Sequence, residues 1–314
     1  MTISPENKVD PTVSCSARSL ELGEPLVATA AERSFWLLLE YDARWQPQAT
    51  SDNDLPTAVQ EWLDDQLEAA GSSGRLLFIR RRREGDGPIN FFVALAREEN
   101  PALYHFLVET YEDLLALNPS LLLTGEDVFP EQRREAPLFL TCTHGTRDRC
   151  CARNGIPVFQ ALQELVGDAV WQSSHVGGHR FAANVVTFPD ATYYGRVQPE
   201  DTAALVAACR RGELYLPQLR GRACYPEVVQ AADYFLREET GETALHAFRF
   251  AALEQHDDAS WTVTFDETGG AGSHRLLVGR EVNDLPLYAS CGQLQTKPLW
   301  RYRLVEYRHA PVGG

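Results

Sequence analysis

The sequence predicts an α/β fold, α+β overall, in which helices pack on sheets. Short apolar runs typical of buried strands alternate with amphipathic helical stretches through the first part of the chain. The middle of the chain has the order β-α-β-β-β-α, which is typical of helices layered on one small sheet. Strand patterns dominate after residue 240. At 314 residues the chain is long enough for two or three packed units.

The first predicted section, residues 1–134, is an N-terminal α/β section. Apolar residues at helical spacing predict a helix over residues 55–70, with Asp54 as its N-cap. The polar stretch at residues 126–135 contains Pro130 and is predicted to link this section to the next. The other predicted elements are strands at residues 35–41, 75–79 and 90–95 and an amphipathic helix at residues 102–117.

The second predicted section, residues 135–222, holds the residues with metal-binding chemistry. One predicted strand leads directly into Cys142, and a later one leads into His175 and His179. Because both loops follow strands of one sheet, we expect them to meet at the same edge. The predicted elements are strands at residues 138–141 and 169–171, a helix at 156–166, a hairpin at 184–197 and a helix at 199–212.

The third predicted section, residues 223–314, is a C-terminal α+β section. Alternating apolar and polar residues at 261–265 predict a half-buried sheet. The sequence shows no catalytic constellation here. The predicted elements are a helix at residues 226–237 and strands at 248–250, 261–265, 275–278 and 300–304.

The charge of the chain limits its partners. The 44 acidic residues against 29 basic ones give a net charge of −15. This argues against nucleic-acid binding, which requires a basic face, and favours partner proteins with basic surfaces. The run Arg80–Arg83 is a local basic exception. It is either a solvated strand end or a docking patch for an acidic redox partner.

The sequence also predicts a cytoplasmic protein. No stretch is long and apolar enough to span a membrane, and the first fifteen residues lack the basic-then-apolar pattern of a signal peptide. The seven cysteines are odd in number and scattered, so they do not resemble a disulfide framework. In a reducing compartment, clustered cysteines are better explained as metal ligands or redox groups.

Four residues in two loops form the candidate metal site: Cys142, Cys151, His175 and His179. Thiolates and imidazoles are the ligands that proteins use for iron–sulfur clusters, zinc and copper. Zinc sites favour closely spaced pairs, which the two histidines fit and the two cysteines, with eight residues between them, do not. The wider cysteine spacing suits a binuclear cluster. Thiol redox chemistry is a further interpretation, although the chain lacks a C-x-x-C motif.

Three motifs between Leu138 and Glu213 resemble the sucrase/ferredoxin-like family, whose members contain a thioredoxin-like [2Fe–2S] ferredoxin domain. The first is C-x-H-G-x-R-D followed by a second cysteine, and the second is H-x-x-x-H. The third is the hairpin and helix start over residues 185–201. The resemblance therefore implies a thioredoxin-like ferredoxin domain over residues 135–222.

By this resemblance the chain holds a [2Fe–2S] cluster, with both cysteines on one iron and both histidines on the other. The implied ligands are Cys142, Cys151, His175 and His179. The spacing favours Cys151 as the second thiolate, and the sequence leaves its neighbour Cys150 as the alternative. Three flanking residues would orient the ligands and tune their charge: Arg147, Asp148 and Arg180.

The implied function is one-electron transfer or redox sensing, in an electron carrier rather than a catalyst. Histidine-ligated clusters of this kind have reduction potentials of roughly −150 to +300 mV. The implied partner is a redox protein, a reductase or an electron acceptor, with a basic surface. Two alternatives stand beside this hypothesis, namely a zinc-stabilised binding module without a redox role and a thiol-dependent oxidoreductase.

Overall fold

Nine of the described strands form one mixed sheet, whose middle carries the candidate metal site. The structure, a computed structural model, describes residues 14–81, 87–270, 272–283, 287–291, 293–295 and 299–311. The strands are β1 (Phe35–Glu40), β2 (Gly74–Arg80), β3 (Ile89–Leu95), β4 (Ala102–Val108), β5 (Leu138–Cys142), β6 (Val170–Ser173), β7 (Val185–Phe188), β8 (Thr192–Tyr194) and β9 (Leu219–Arg222). Their order across the sheet is β4-β3-β1-β2-β6-β5-β7-β8-β9.

Several α-helices pack on this sheet. The α-helices among the described residues are α1 (Cys15–Glu21), α2 (Thr57–Ala70), α3 (Arg149–Val166), α4 (Thr202–Arg210) and α5 (Glu227–Thr240). Because alternate strand residues point to opposite faces, Leu37 packs with Leu63 of α2, whereas Leu38 packs in a separate cluster that contains Cys142 and Cys151. The predicted α/β class is confirmed.

The strands around the site form one parallel and two antiparallel pairs. Strands β5 and β6 are parallel and are joined by α3, as a crossover helix joins parallel strands. Strand β7 runs antiparallel to β5, and β8 runs antiparallel to β7. The order of these four strands across the sheet is β6-β5-β7-β8.

The sheet continues across the predicted linker at residues 126–135. Strands β2 and β6 pair antiparallel through Ile79 with Ser173 and through Arg80 with Gln172. The N-terminal section and the central section therefore share one hydrogen-bonded sheet. The boundary at residue 134 stays a prediction about folding units.

The predicted helix at residues 102–117 is wrong. Residues Ala102–Val108 form β4, which pairs antiparallel with β3 over its whole length, and a 3₁₀ helix follows at Tyr111–Ala116. A short apolar run does not distinguish a buried strand from a helix by periodicity alone. Pairing with β3 decides the conformation, and Thr110 and Asp113 form a capping box that starts the 3₁₀ helix.

Two predicted helix starts are also corrected. Helix α3 begins at Arg149, seven residues before the predicted Ile156, because Asp148 caps it by accepting a hydrogen bond from the backbone N–H of Cys150. Helix α2 begins after Pro56, and Asp54 instead accepts a hydrogen bond from the Tyr41 hydroxyl.

The C-terminal residues form a second sheet against α5. Its strands and those of a small hairpin are β10 (Phe248–Asp257), β11 (Ser260–Glu267), β12 (Gly272–Asn283), β13 (Leu287–Ser290), β14 (Gln293–Gln295) and β15 (Leu299–Pro311). The sheet order is β10-β11-β12-β15, while β13 and β14 pair only with each other among the described strands. One face packs on α5 through Val263, Phe265 and Leu276.

The basic run Arg80–Arg83 is described only in part. The guanidinium of Arg80 lies over the ring of Trp45, and that of Arg81 lies over the ring of Trp171. Arg82 and Arg83 lie outside the described residues. The two described arginines therefore pack on aromatic rings, and a docking role for the run stays a prediction.

Candidate metal centre

Two buried thiols face each other at the C-terminal end of the central strand β5. Cys142 is the last residue of β5, and Cys151 lies in the first turn of α3 rather than on the predicted loop. Their exposed fractions are 1% and 0%. The crossover from β5 to α3 thus folds the two cysteines back onto each other.

Gly155 permits this close approach. It lies inside α3, and a Cβ atom built on it would come within 2.1 Å of the Cys142 carbonyl oxygen. Any larger residue would push the helix away from the end of β5. The helix would then carry Cys151 away from Cys142.

The two histidines lie on the solvent side of the thiols. His175 follows β6, and its Nδ1 atom is 4.0 Å from the sulfur of Cys142 and 3.7 Å from that of Cys151. The ring of His179 stacks on that of His175, with 5.3 Å between the ring centroids. Both histidines are half-buried. The structure therefore brings all four predicted ligands to one place, with sulfur innermost and imidazole outermost.

The loop between the histidines is held in place by hydrogen bonds to its backbone carbonyls. The carbonyls of four consecutive residues, 175–178, all accept hydrogen bonds from side chains of the surrounding core. The donors, in the same order, are Arg75, Tyr193, Arg220 and Asn184. Such a loop presents its side chains in a fixed geometry before any metal binds.

The interaction between the two thiols favours the thiolate form of Cys142. The hydrogen bond from Cys151 holds the pKa of Cys142 well below its usual range despite burial, and the His175 ring lowers that pKa further. The same hydrogen bond, together with burial, raises the pKa of the Cys151 thiol. A positive metal centre would stabilise the thiolate form of both groups, which is the form that binds metals.

His144, in the C-x-H-G motif, has a structural role. Its Nδ1 accepts a hydrogen bond from the backbone N–H of His175, and its Nε2 lies 2.8 Å from the carbonyl of Gln46. The ring is therefore the neutral tautomer with the proton on Nε2. Burial lowers the pKa of His144. This residue links the two ligand loops to each other and to the N-terminal section.

The three predicted flanking residues have different surroundings. Arg147 is exposed, and Arg180 pairs with the buried carboxylate of Glu24 at 2.5 Å. Asp148 is buried at the N-terminus of α3. Burial opposes ionisation of this carboxyl, but backbone N–H groups of Cys291 and Cys150 bind it and lower its pKa. A role for the three residues in tuning a cofactor stays a prediction.

Sequence reasoning missed Arg220, a buried side chain that supports the histidine loop. It is 3% exposed, and its guanidinium donates hydrogen bonds to Gly177, Asn184 and Thr29. Burial lowers its pKa to about 10. Its sequence context, the short strand Leu219–Arg222 with a second arginine at Arg222, gives no signal of this role, because its acceptors lie more than thirty residues away.

We expect Arg220→Met to destabilise the fold and the histidine loop together. Methionine fills similar space but donates no hydrogen bonds, so buried acceptors lose their partner, at a cost of about 3 kcal/mol in unfolding free energy. Denaturant unfolding measures this change. Arg211→Met, which removes an exposed arginine paired with Glu213, is the control and should unfold like the parent protein. Equal stability of the two variants would contradict the proposed support of the loop.

Among the helices that the described residues form, none combines the length and the apolar character needed to cross a membrane.

Comparison with known proteins gives the relatives of the chain. A family model described as sucrase/ferredoxin-like matches residues 26–221. The protein named "Altered inheritance of mitochondria protein 32" from Meyerozyma guilliermondii is 34% identical over 139 residues, which cover 40% of this chain and 47% of that protein. The protein of the same name from Saccharomyces kudriavzevii is 24% identical over 180 residues, covering 46% and 58%. The chain spans about half the length of these curated relatives.

Among solved structures, a thioredoxin-like [2Fe–2S] ferredoxin from Aquifex aeolicus is similar at 23% identity, with a TM-score of 0.26, over 30% of this chain and 97% of that one. A cysteine-to-serine variant of the same ferredoxin gives 24% identity and a TM-score of 0.24. The family match is the broader finding, since it covers more than half of the 314 residues. The chain therefore belongs to the sucrase/ferredoxin-like family.

Proposed function

We propose that this protein is a one-electron transfer or redox-sensing protein that binds a [2Fe–2S] cluster through Cys142, Cys151, His175 and His179. The observation that carries the proposal is the convergence of two buried sulfurs and the His175 ring within 4.8 Å of one another, with the His179 ring stacked beside them. Soft sulfur and borderline nitrogen donors suit iron–sulfur ligation. When bound, such a cluster exchanges single electrons.

The position of His179 supports a core larger than one ion. Its ring nitrogens are not among the donor atoms that lie within 4.8 Å of one another around Cys142 and Cys151. Four ligands of a single tetrahedral zinc ion would all lie within about 4 Å of one another. A binuclear core instead places the ligands of its second metal farther from those of the first.

The positions of the four ligands would determine the side of the protein at which a partner exchanges electrons with the cluster. The cysteines lie inside the apolar core and the histidines lie half-buried at the surface, so a partner protein would approach from the histidine side. The net charge of −15 favours a reductase or electron acceptor with a basic surface. The odd number and the scattered positions of the seven cysteines favour a reducing, cytoplasmic location.

A zinc-stabilised module is the second candidate. The compact set of Cys142, Cys151 and His175 favours it, because three donors this close together could hold one ion. Iron and sulfide analysis distinguishes the two candidates directly.

The pH dependence of the midpoint potential tests histidine ligation. A ring N–H proton on a metal-bound imidazole is released more readily from the oxidised form, so the reduced form binds more protons. Raising the pH therefore disfavours reduction, and the potential should fall by up to about 59 mV per pH unit for one proton per electron. Protein-film voltammetry or redox titration from pH 6 upward measures this slope.

The variant His179→Cys is the control for that titration. It replaces one protonatable ligand by a thiolate, so its potential should be lower and its slope smaller than those of the parent protein. A parent potential that does not change from neutral to alkaline pH would contradict ligation by exposed histidines.

A further inference from the structure

A second cluster of possible ligands lies beside the candidate [2Fe–2S] site. The sulfur of Cys150 lies 3.4 Å from that of Cys15 and 3.2 Å from that of Cys291, and the sulfurs of Cys15 and Cys291 are 3.7 Å apart. A carboxylate oxygen of Asp148 is 3.7 Å from the sulfur of Cys15 and 3.2 Å from that of Cys291. We propose that these four side chains form a structural zinc site, separate from the redox site.

The distances match what one tetrahedral zinc ion requires. With zinc–sulfur bonds of about 2.3 Å, the sulfurs of a tetrahedral site lie about 3.8 Å apart. The three observed sulfur separations are each within about 0.6 Å of that value, and all four donor atoms lie within 4.8 Å of one another. Three thiolates and one carboxylate are donors that zinc accepts.

The geometry of α3 makes the two sites independent. Successive residues of a helix point about 100° apart. Cys151 therefore faces Cys142 and His175, whereas Cys150 faces Cys15 and Cys291. The sequence left the second cluster ligand open between the two neighbours. The structure gives each of them a different set of partners.

Asp148 is oriented for metal binding by backbone hydrogen bonds. One carboxylate oxygen accepts from the backbone N–H of Cys150 and the other from that of Cys291, both at 2.8 Å. Hydrogen bonds of this kind fix the direction of a ligand and are typical of groups around metal sites. The N-terminal end of the 18-residue helix α3 also compensates part of the negative charge of the thiolates.

The site joins three distant parts of the chain. Cys15 begins α1, Cys150 lies in α3 and Cys291 lies in the turn between β13 and β14; the sulfur contacts from Cys150 span 135 and 141 residues of sequence. A two-stranded hairpin such as β13–β14 is marginally stable on its own. A metal bond that closes loops of this length would fix both α1 and the hairpin beside the redox site.

Disulfide formation explains the cluster less well. A disulfide requires sulfurs about 2.05 Å apart and uses two cysteines, so the third thiol would remain unpaired. A single zinc ion uses all three thiols and the carboxylate together. A disulfide between Cys150 and Cys151 is disfavoured as well, since the two side chains point to different clusters.

Metal analysis of the full chain tests the proposal. The protein is produced with added zinc, purified without oxygen and dialysed, and then zinc, iron and sulfide are measured on the same sample. We expect one retained zinc ion per parent chain. Loss of a group that orients a metal ligand typically lowers metal affinity about 10- to 100-fold, and loss of the ligand itself should lower it at least as much. Cys15→Ser and Cys150→Ser should therefore each lower the zinc content by more than about tenfold.

Two further measurements make the result specific. Cys209→Ser is the control, since Cys209 packs in another apolar cluster, and it should keep its zinc. Cys291→Ser changes a half-buried turn residue, and amide hydrogen exchange should become faster in α1 and β13 in this variant but not in Cys209→Ser.

The outcomes separate this proposal from the redox function. Loss of zinc with unchanged iron and sulfide in Cys150→Ser supports a separate site even if the redox proposal fails. A parent chain that retains no zinc after supplementation would overturn the inference. A disulfide between any two of Cys15, Cys150 and Cys291, found by mass spectrometry after alkylation without reductant, would overturn it too.

Discussion

Cys151→Ser is expected to abolish binding of the iron–sulfur cluster, whereas Cys150→Ser is expected to keep it. Both residues are buried in the first turn of α3, with exposed fractions of 0% and 1%, so the cost of placing a serine hydroxyl in the core is closely matched. Only Cys151 faces Cys142 and His175. Iron and sulfide content should therefore fall by more than about tenfold in Cys151→Ser alone.

This pair of variants separates loss of a ligand from loss of fold. Far-ultraviolet circular dichroism and denaturant unfolding show whether each variant keeps its structure, and visible absorption reports the cluster. If Cys150→Ser lost its colour while Cys151→Ser kept it, the ligand assignment along α3 would be wrong. If both variants kept their colour, neither cysteine would be a ligand.

His175→Ala and His179→Ala are expected to lose the cluster while keeping most of the fold. The loop that carries them is held through its backbone, since the His175 N–H donates to His144 and the loop carbonyls accept from the side chains of Arg75 and Arg220. Removing a half-buried imidazole leaves these hydrogen bonds in place, so the unfolding free energy should change by only about 1 kcal/mol. Visible absorption of anaerobically purified protein measures the loss of the cluster.

His256→Ala is the matched control for these two variants. His256 is exposed on β10 of the C-terminal sheet and bonds to Thr262, so its removal should leave the spectrum unchanged. A normal spectrum in both His175→Ala and His179→Ala would show that other residues bind the second iron.

The sequence predicted most strands because their apolar runs are buried on both faces. Residues 35–40 and 89–95 are the clearest cases, since nearly every side chain there is buried. The prediction was wrong at residues 102–108, where six apolar or aromatic residues and His105 fit a helix or a strand, and only pairing with β3 decides. It also placed the start of α3 at Ile156 rather than Arg149, and the cap that Asp148 forms with the backbone N–H of Cys150 explains the difference.

The candidate ligands could be predicted because they follow two neighbouring strands in a spacing that resembles a known family. The support of their loops could not, because it comes from distant residues such as Gln46, Arg75 and Arg220. The second cysteine cluster was missed for the same reason. Cys15 and Cys291 are scattered in sequence, and only the docking of α1 and the β13–β14 turn onto α3 brings them to Cys150.

Iron and acid-labile sulfide analysis of the anaerobically purified chain tests the central claim most directly. The account predicts a red-brown protein with about two irons and two sulfides per chain, held where Cys142, Cys151, His175 and His179 converge. A colourless, correctly folded protein without iron or sulfide would contradict it.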